Sequence, residues 1–298
     1  MSTPPVVTTV RELQAQADAE RAAGRRIALV PTMGALHAGH LSLVGEARRH
    51  ADVVWMSIFV NPTQFNDPKD FEGYPVDMDR DLALAAEHGV DLVFSPTAAA
   101  LYPEGAQTWV EVSELADPLC GASRPGHFRG VTTVVAKLLL AARPHVAVFG
   151  QKDFQQCAVI RRMVSDLGFG VEIVAGPTVR EPDGLALSSR NVHLGPEARG
   201  QAPALVRALD AAEQALAQGE RGRDALLARV HAEIGQASLA QIDYAELRDP
   251  ETLEISPGQL AGPSLLALAV NFAADGSGQG APVRLIDNRV LLPGPAAT

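Results

Sequence analysis

Short apolar runs alternate with longer segments rich in helix-forming residues over the first 180 residues of the chain. The apolar runs predict buried strands at residues 27–32, 53–60, 91–96, 146–150 and 171–179. Helices are predicted at residues 11–23, 39–50, 77–87, 132–142 and 154–168, and a more exposed strand at residues 108–114. Buried strands separated by helices indicate a parallel sheet covered on both faces, with ligands bound at the carboxyl ends of its strands.

The pattern changes near residue 180. Turns are predicted at Glu181–Gly184 and at Gly195–Pro196. Two Ala/Leu-rich helices then precede three antiparallel strands, with the helices at residues 202–217 and 223–234 and the strands at residues 243–249, 265–273 and 283–292. We therefore predict an α/β fold with a Rossmann-like, doubly wound parallel sheet in residues 1–180 and a smaller α+β closing domain in residues 181–298.

Composition limits the class of protein. Of the 298 residues, 47% are hydrophobic, which supplies a packed core and excludes intrinsic disorder. A formal net charge of −10 disfavours general binding to nucleic acid or to an anionic membrane. Cys120 and Cys157 are too few for a disulfide framework or a multi-thiolate zinc site, and the apolar segment around Cys157 indicates a core residue. Because the sequence shows neither a bilayer-length apolar run nor a signal-peptide pattern, we expect a cytoplasmic location.

Cations are nevertheless concentrated in one window of the sequence. Residues 118–152 contain no acid and carry a charge of +5, against −15 for the remainder of the chain. The cations are Arg124, Arg129, Lys137, Arg143 and Lys152. The acidic total therefore leaves room for a site that binds a single triphosphate.

The sharpest motif is the segment Pro31–His40, which joins the first predicted buried strand to the helix after it. A strand-loop-helix junction presents backbone N–H groups and the positive end of a helix dipole to a phosphate, and Gly34 and Gly39 let the backbone approach a ligand closely. His37 and His40 would face the same side of the helix start and can donate hydrogen bonds to phosphoryl oxygens. A turn with two solvated histidines is one alternative, and a zinc site is another, which lacks a third ligand at a suitable spacing.

Two further segments carry groups suited to a nucleotide. Gly150–Asp153 follows a predicted strand at the same sheet edge as the histidines. There Lys152 supplies a point charge for phosphate or carboxylate, and Asp153 can cap the next helix or hold Mg²⁺. Leu187–Arg190 places two hydroxyls and a guanidinium on a flexible loop that can close over a triphosphate. The alternatives are an ordinary helix cap beside a solvated lysine and, for the second segment, a solvated turn.

Amide side chains and a basic segment complete the set. Asn61–Phe65 follows the second buried strand, and its two amides indicate orientation of a small polar substrate, with an ordinary Asn-Pro turn as the alternative. Arg124–Gly130 is punctuated by Gly and Pro and predicts a basic loop that acts as a lid or a dimer contact, with a solvated loop as the alternative.

In their order along the chain, these segments resemble the pantoate–β-alanine ligase family of the HIGH-type nucleotidyl-transfer superfamily. The matching blocks are residues 31–44, 59–65, 124–135, 149–156 and 187–191. The resemblance implies that ATP activates (R)-pantoate as pantoyl adenylate with release of pyrophosphate. β-Alanine then attacks the acyl carbon to give pantothenate and AMP. It also implies Mg²⁺ bound through the ATP phosphates and a homodimer formed through the N-terminal domain.

The resemblance assigns roles by position. The implied catalytic residues are His40, His37, Lys152 and Arg190, with His40 as proton donor. Contacts to pantoate and β-alanine are implied for Gln64, Gln156, Asn61 and Tyr74. Contacts to ATP are implied for Met33, Gly34, Ala35, Leu36, His37, Ala38, Gly39, His40, Gly150, Gln151, Lys152, Asp153, Val179, Leu187, Ser188, Ser189 and Arg190. Leu187 stands where the family usually has Met, a change that keeps the packing expected against adenine.

Two other functions remain open at this point. Another HIGH-type adenylyltransferase would yield a stable nucleotidylated product, and a non-catalytic module would bind the nucleotide without turning it over. The co-occurrence of His40 and Lys152 with Gln64 and Gln156 argues against the binding module. A redox Rossmann protein is disfavoured because no G-x-G-x-x-G follows the first buried strand.

Overall fold

Residues 3–273 and 281–294 are described by a computed structural model, apart from the side chains of residues 69 and 70. The chain divides into two units, residues 1–177 and 178–298. The predicted fold class is confirmed, since the first unit contains a parallel sheet flanked by helices and the second a small antiparallel sheet.

The apolar runs of the first unit form a six-stranded parallel sheet with the order β1-β4-β3-β2-β5-β6. Nearly every residue of the central strands is buried, as expected of strands covered on both faces. The strands are β1 (Val6–Val7), β2 (Ile27–Thr32), β3 (Val53–Ile58), β4 (Leu92–Phe94), β5 (Val146–Gly150) and β6 (Glu172–Gly176).

Helices connect these strands, and local side chains fix where several of them begin. Thr9 and Glu12 form a reciprocal capping box on the first helix, and the Asp77 side chain caps the fourth. The helices are α1 (Val10–Ala22), α2 (Ala38–Arg48), α3 (Pro68–Glu72), α4 (Met78–Glu87), α5 (Ala98–Leu101), α6 (Cys120–Ser123), α7 (His127–Ala142) and α8 (Phe154–Asp166), with short 3₁₀ turns at Pro62–Gln64 and Gln151–Asp153.

The order of the chain reverses between β2 and β5, which are neighbours in the sheet. Strands β3 and β4 extend the sheet on one side of this point, and β6 extends it on the other. Ala28 and Leu29 of β2 pair with Val146 and Ala147 of β5. Loops that follow two such strands diverge and leave a crevice at the carboxyl edge of the sheet, which is where ligands bind in open α/β sheets.

The second unit packs helices on a three-stranded antiparallel sheet in the order β7-β8-β9. Leucines and alanines of its two longer helices share one core with the buried residues of the central strand. Arg180 donates two hydrogen bonds to the buried carboxylate of Asp287, at 2.6 and 2.9 Å. The elements are α9 (Pro196–Gln201), α10 (Ala204–Ala217), α11 (Arg223–Ile234), β7 (Ala240–Arg248), β8 (Ser264–Phe272) and β9 (Val283–Leu291).

The strand predicted at residues 108–114 is wrong, since these residues, all of them described, form no sheet ladder. Hydroxyl groups of α7 take the place of a neighbouring strand. The Val110 N–H donates to Thr133 Oγ1 at 3.0 Å, and the Val110 carbonyl accepts from Thr132 Oγ1 at 2.6 Å. The alternation of polar and apolar residues at 108–114 therefore reflects an extended segment that packs on α7 rather than a strand of a sheet.

Proline explains two smaller differences. The strand predicted to reach residue 179 ends at Gly176, because Pro177 has no N–H with which to extend the ladder. Pro196, taken as a break, occupies the first turn of α9, where a missing N–H costs nothing. Within the described residues, no helix is long and apolar enough to cross a bilayer.

Candidate active site

The two histidines of the Pro31–His40 segment stack on each other at the start of α2. His37 is the N-cap, and its Nδ1 accepts the Gly39 N–H at 3.1 Å. The ring of His40 lies 4.1 Å from that of His37 between centroids, with 28° between their planes. The two imidazoles therefore share one side of the helix start, as predicted, directly beyond the carboxyl end of β2.

Both imidazoles are neutral at neutral pH. Burial lowers the pKa of His40 to about 3, with a further decrease from neighbouring His37. Burial also lowers the pKa of His37, and the charge of Lys152 lowers it further. Because Nδ1 of His37 accepts a hydrogen bond, its proton resides on Nε2. Nδ1 of His40 is buried and has no hydrogen-bond partner among the described residues.

Lys152 and Asp153 reach the same place from the end of β5. Both charges act on His37 and His40, which places the two segments in one electrostatic site. Lys152 Nζ lies 3.8 Å from Asp153 Oδ2, and 17% of the Lys152 side chain is exposed against 47% of the Asp153 side chain. The predicted capping role of Asp153 is wrong. It occupies the N-cap of α8 without a capping hydrogen bond, and its carboxylate lies beside Lys152 instead.

The amides of the Asn61–Phe65 turn have different environments. Asn61 is 1% exposed, and its side chain donates to Gln64 Oε1 at 3.0 Å and to the Gly130 carbonyl at 3.1 Å. Its Oδ1 accepts from the Tyr102 hydroxyl at 2.9 Å. The Gln64 side chain donates to Met33 Sδ at 3.0 Å, which links this turn to the histidine loop, residues 33–40, between β2 and the start of α2. Asn61 thus orients Gln64, and Gln64 carries the amide next to the histidine loop.

The basic segment Arg124–Gly130 is not the predicted loop, because α7 begins at His127 and runs through the rest of it. His127 is buried, and its Nδ1 lies 2.8 Å from the carbonyl oxygen of Gln64. Arg124 donates to the same carbonyl at 3.1 Å. A Cβ on Gly130 would lie 2.3 Å from the Thr63 carbonyl oxygen. The segment is therefore a packed support for the Gln64 turn, which sets aside the interpretation as a lid.

Two more predicted substrate residues lie in the first unit. The Tyr74 hydroxyl is 3.5 Å from the Gly34 carbonyl oxygen, so Tyr74 borders the histidine loop. Gln156 lies in the first turn of α8, shortly after Lys152 and Asp153, and is partly exposed. The remaining predicted ATP residues of this unit are Met33, Gly34, Ala35, Leu36 and Ala38 around the first histidine and Gly150 and Gln151 at the end of β5.

Val179 and Leu187–Arg190 belong to the second unit. The Leu187 N–H donates to the Val179 carbonyl at 2.9 Å, and Ser188 Oγ accepts the Arg190 N–H at 3.2 Å. Ser189 begins a 3₁₀ helix, and Arg190 is exposed. Hydrogen bonds therefore hold the segment at both ends, and its last two residues lie in the 3₁₀ helix.

Residues beyond the predicted set hold these segments in place. In the second unit Asn191 donates to Glu181 Oε1 at 2.9 Å and to the Ala186 carbonyl at 3.1 Å. In the first unit the buried carboxylate of Asp81 accepts N–H groups of the histidine loop. The sequence offered a way to identify Asp81 as buried, since it lies four residues before Ala85 and therefore on the same inward face of α4. An acid at such a position indicates a buried partner.

The structure limits what metal and thiol chemistry the chain offers. Among the described residues, no group of three or more His, Cys, Asp or Glu side chains is arranged to hold a metal ion. Cys157 is buried, and burial raises its pKa to about 12, so it is the inert core residue that its sequence predicts.

Comparison with known proteins gives one consistent match. The family model for pantoate–β-alanine ligase matches residues 5–290. The pantothenate synthetase of Syntrophobacter fumaroxidans is 52% identical over 288 residues, covering 97% of this chain and 99% of the relative. That of Geobacter sulfurreducens is 52% identical over 291 residues, covering 96% and 98%.

Solved structures agree with the sequence matches. The crystal structure of pantothenate synthetase from Thermus thermophilus superposes with a TM-score of 0.89 at 45% identity, covering 97% of this chain and all of that one. A Francisella tularensis pantoate–β-alanine ligase, crystallised with β,γ-ATP and β-alanine, gives 0.77 at 33% identity, covering 96% and 97%. The chain belongs to the pantoate–β-alanine ligase family.

Proposed function

We propose that this chain condenses (R)-pantoate with β-alanine at the expense of ATP, giving pantothenate, AMP and pyrophosphate through a pantoyl-adenylate intermediate. Membership of the pantoate–β-alanine ligase family carries the proposal, and a neutral, stacked histidine pair beside Lys152 at the switch point between β2 and β5 supports it. This arrangement offers hydrogen-bond donors and one cation to a bound polyphosphate.

In the first step the pantoate carboxylate attacks the α-phosphorus, and the bond to pyrophosphate breaks. Negative charge develops on the equatorial oxygens and on the leaving group. Neutral His37 and His40 donate N–H groups to those oxygens, and Lys152 and the N-terminus of α2 add positive potential. Burial lowers the pKa of His40 to about 3, so its imidazole is neutral, and His40 is proposed to donate its N–H to these oxygens.

In the second step the amine of β-alanine attacks the acyl carbon, the bond to AMP breaks, and the nitrogen loses a proton to water. The substrates supply both nucleophiles, which agrees with the burial of Cys157. Gln64, held by Asn61, and Gln156 are proposed to bind the hydroxyl and carboxylate of pantoate, since a site built from hydrogen bonds discriminates better than apolar fit. Tyr74 is proposed to border the same pocket.

Mg²⁺ is proposed to enter with ATP. Mg²⁺ keeps several waters and is held in such sites by one or two carboxylates together with substrate phosphates. Asp153, half exposed beside Lys152, fits this limited requirement, and the described residues hold no fuller ligand set. When bound, the ion neutralises charge on the phosphates.

The second unit is also proposed to contribute ligands for ATP. Ser188, Ser189 and Arg190 are proposed as phosphate ligands because their hydroxyls and guanidinium suit an anion. We propose a homodimer formed through residues 1–180, to be measured by light scattering, and a cytoplasmic location.

The test is a product assay with purified chain, Mg²⁺, ATP, (R)-pantoate and β-alanine. We expect AMP, pyrophosphate and pantothenate in equal amounts by mass spectrometry, and pyrophosphate release that requires pantoate. A stable nucleotidylated product would instead identify another adenylyltransferase. ATP binding without pantoate-dependent pyrophosphate would identify a binding module.

A further inference from the structure

A buried acid lies under the histidine loop. The Asp81 side chain, on α4, is 1% exposed. Its Oδ2 accepts the Ala35 N–H and its Oδ1 accepts the Leu36 N–H, both at 2.8 Å. Successive N–H groups that converge in this way form a nest, a backbone concavity that binds anions in many phosphate sites. Here the anion in the nest is the carboxylate of the chain itself.

The two hydrogen bonds to Asp81 hold a part of the loop in which one residue, Ala35, has an unfavourable backbone conformation. Gly34 has φ +85° and Ala35 has φ +51°, and the left-handed region disfavours a residue with a Cβ such as alanine. The fit is close, since a Cβ on Gly34 would lie 2.9 Å from Asp81 Oδ2. Thr32 adds a second tie, because its Oγ1 accepts the Gly34 N–H at 3.3 Å and donates to the Ser57 carbonyl at 2.7 Å.

We propose that Asp81 is a positioning residue for ATP activation. By occupying the nest, its carboxylate holds the loop in the shape that brings His37 and His40 together at the start of α2. The inference rests on the proposed function, since it assigns the loop to ATP.

The same geometry changes how phosphate binding by this loop is understood. The N–H groups of Ala35 and Leu36 are bonded to Asp81, and that of Gly39 is bonded to His37 Nδ1. The polyphosphate is therefore met by imidazole N–H groups and Lys152, while these three backbone N–H groups maintain the loop.

Asp81→Asn tests the proposal with little change in size. The amide keeps one acceptor but sets an NH₂ group against the second loop N–H. We expect kcat/KM for ATP in pantoate-dependent pyrophosphate release to fall about 10²-fold, the scale of a misplacement near 1 Å. The KM for pantoate should rise less than the KM for ATP, because Asn61 holds Gln64 in addition to its contact with Met33. Asp79→Asn, an exposed acid on the same helix, is the matched control.

Gly34→Ala perturbs the same contact from the loop side and keeps the proposal testable if Asp81→Asn folds poorly. Gly45→Ala is its control, since no atom lies within 4 Å of that Cβ position. The double variant Asp81→Asn/Gly34→Ala should lose less than the product of the two single losses, as expected for residues that act on one contact.

ATP-selective losses in both variants would support the proposal. ATP kinetics within threefold of wild type in either variant when folded, or equal increases in the KM values for ATP, pantoate and β-alanine, would overturn it. Calorimetric ATP affinity, measured without pantoate, reports on Asp81 independently of turnover. A wild-type chain that binds ATP without releasing pyrophosphate therefore refutes the proposed function alone, whereas equal ATP affinity in wild type and Asp81→Asn refutes the role of Asp81.

Discussion

At the scale of single residues, burial determines what the two histidines can do. An exposed imidazole would be partly protonated near neutral pH, whereas His40 stays neutral because burial lowers its pKa to about 3. The sequence predicts the pair and its shared face from the spacing. It does not predict the protonation state, which depends on the depth of the pair beneath the surrounding chain.

His40→Gln should change how stability depends on pH. The pKa of His40 is about 3 in the folded chain against 6.5 when unperturbed, so the unfolded chain binds more protons between these values. The stability of wild type is therefore full above about pH 6.5 and falls as the pH decreases. The loss specific to His40 is about 2 kcal/mol between pH 7 and pH 5.

Urea unfolding followed by tryptophan fluorescence measures this difference, because both tryptophans, Trp55 and Trp109, lie in the first unit. The unfolding free energy of wild type minus that of His40→Gln should decrease by about 2 kcal/mol from pH 7 to pH 5. His88→Gln, at an exposed histidine, should keep the wild-type pH dependence. A His40→Gln variant with the wild-type pH slope would contradict the prediction.

Two adjacent glutamines of α8 should have opposite phenotypes. Gln155 is buried, and its amide bonds the Cys120 N–H and the Leu115 and Pro118 carbonyls. Gln155→Ala should therefore lower the free energy of unfolding by about 1–3 kcal/mol. Gln156→Ala should leave stability unchanged and raise the KM for pantoate at least about tenfold, through loss of a hydrogen bond. Urea unfolding measures the stability of each variant and steady-state kinetics its KM for pantoate. A destabilised Gln156→Ala, or a raised KM for pantoate only in Gln155→Ala, would refute these roles.

At the scale of elements, the sequence predicts most buried strands and helices because their apolar runs are strong. It fails where packing replaces local preference. Gly126 and Gly130 indicate a loop, yet α7 starts directly after Gly126, whose φ is +80°. Gly130 lies within that helix because a side chain there would strike the Thr63 backbone. The local pattern of residues 124–130 predicts neither the helix start after Gly126 nor the close approach of Gly130 to the Thr63 backbone.

Gly130→Ala tests whether α7 supports the Gln64 turn. The added Cβ would lie 2.3 Å from the Thr63 carbonyl oxygen and 2.8 Å from Gln64 Cα, so the helix and the turn must separate. We expect a loss of about 1–3 kcal/mol in unfolding free energy and a raised KM for pantoate with a nearly unchanged KM for ATP. Gly45→Ala, at an open helical position, should instead stabilise by up to about 1 kcal/mol. Equal stabilities of the two variants would refute the support role.

At the scale of the whole molecule, the charge of +5 in residues 118–152 does not form one anion-binding patch. Lys152 lies at the histidine pair, and its charge lowers the pKa of both imidazoles. The other four cations have other partners: Arg124 the Gln64 carbonyl, Arg129 the Trp109 ring, Lys137 the Tyr102 ring, and Arg143 Asp18. Counting charges along the sequence therefore finds five cations, and the fold places one of them, Lys152, at the histidine pair.

Replacing these cations one at a time by glutamine tests the proposed role of Lys152. Lys152→Gln should lower pantoate-dependent pyrophosphate release by about 10²–10³-fold, the loss seen when a transition-state donor is removed. Lys137→Gln gives up a contact between its ammonium and the Tyr102 ring, worth about 0.5–1 kcal/mol, and should leave the KM for ATP within about twofold of wild type.

Arg143→Gln should behave like Lys137→Gln, because its partner is Asp18 on α1. Added salt screens exposed charges, so the wild-type kcat/KM for ATP should fall as ionic strength rises. That salt dependence should be weaker in Lys152→Gln and unchanged in the other two variants. If Lys137→Gln or Arg143→Gln raises the KM for ATP as much as Lys152→Gln does, the summed charge of the window attracts the nucleotide, and the assignment to Lys152 fails.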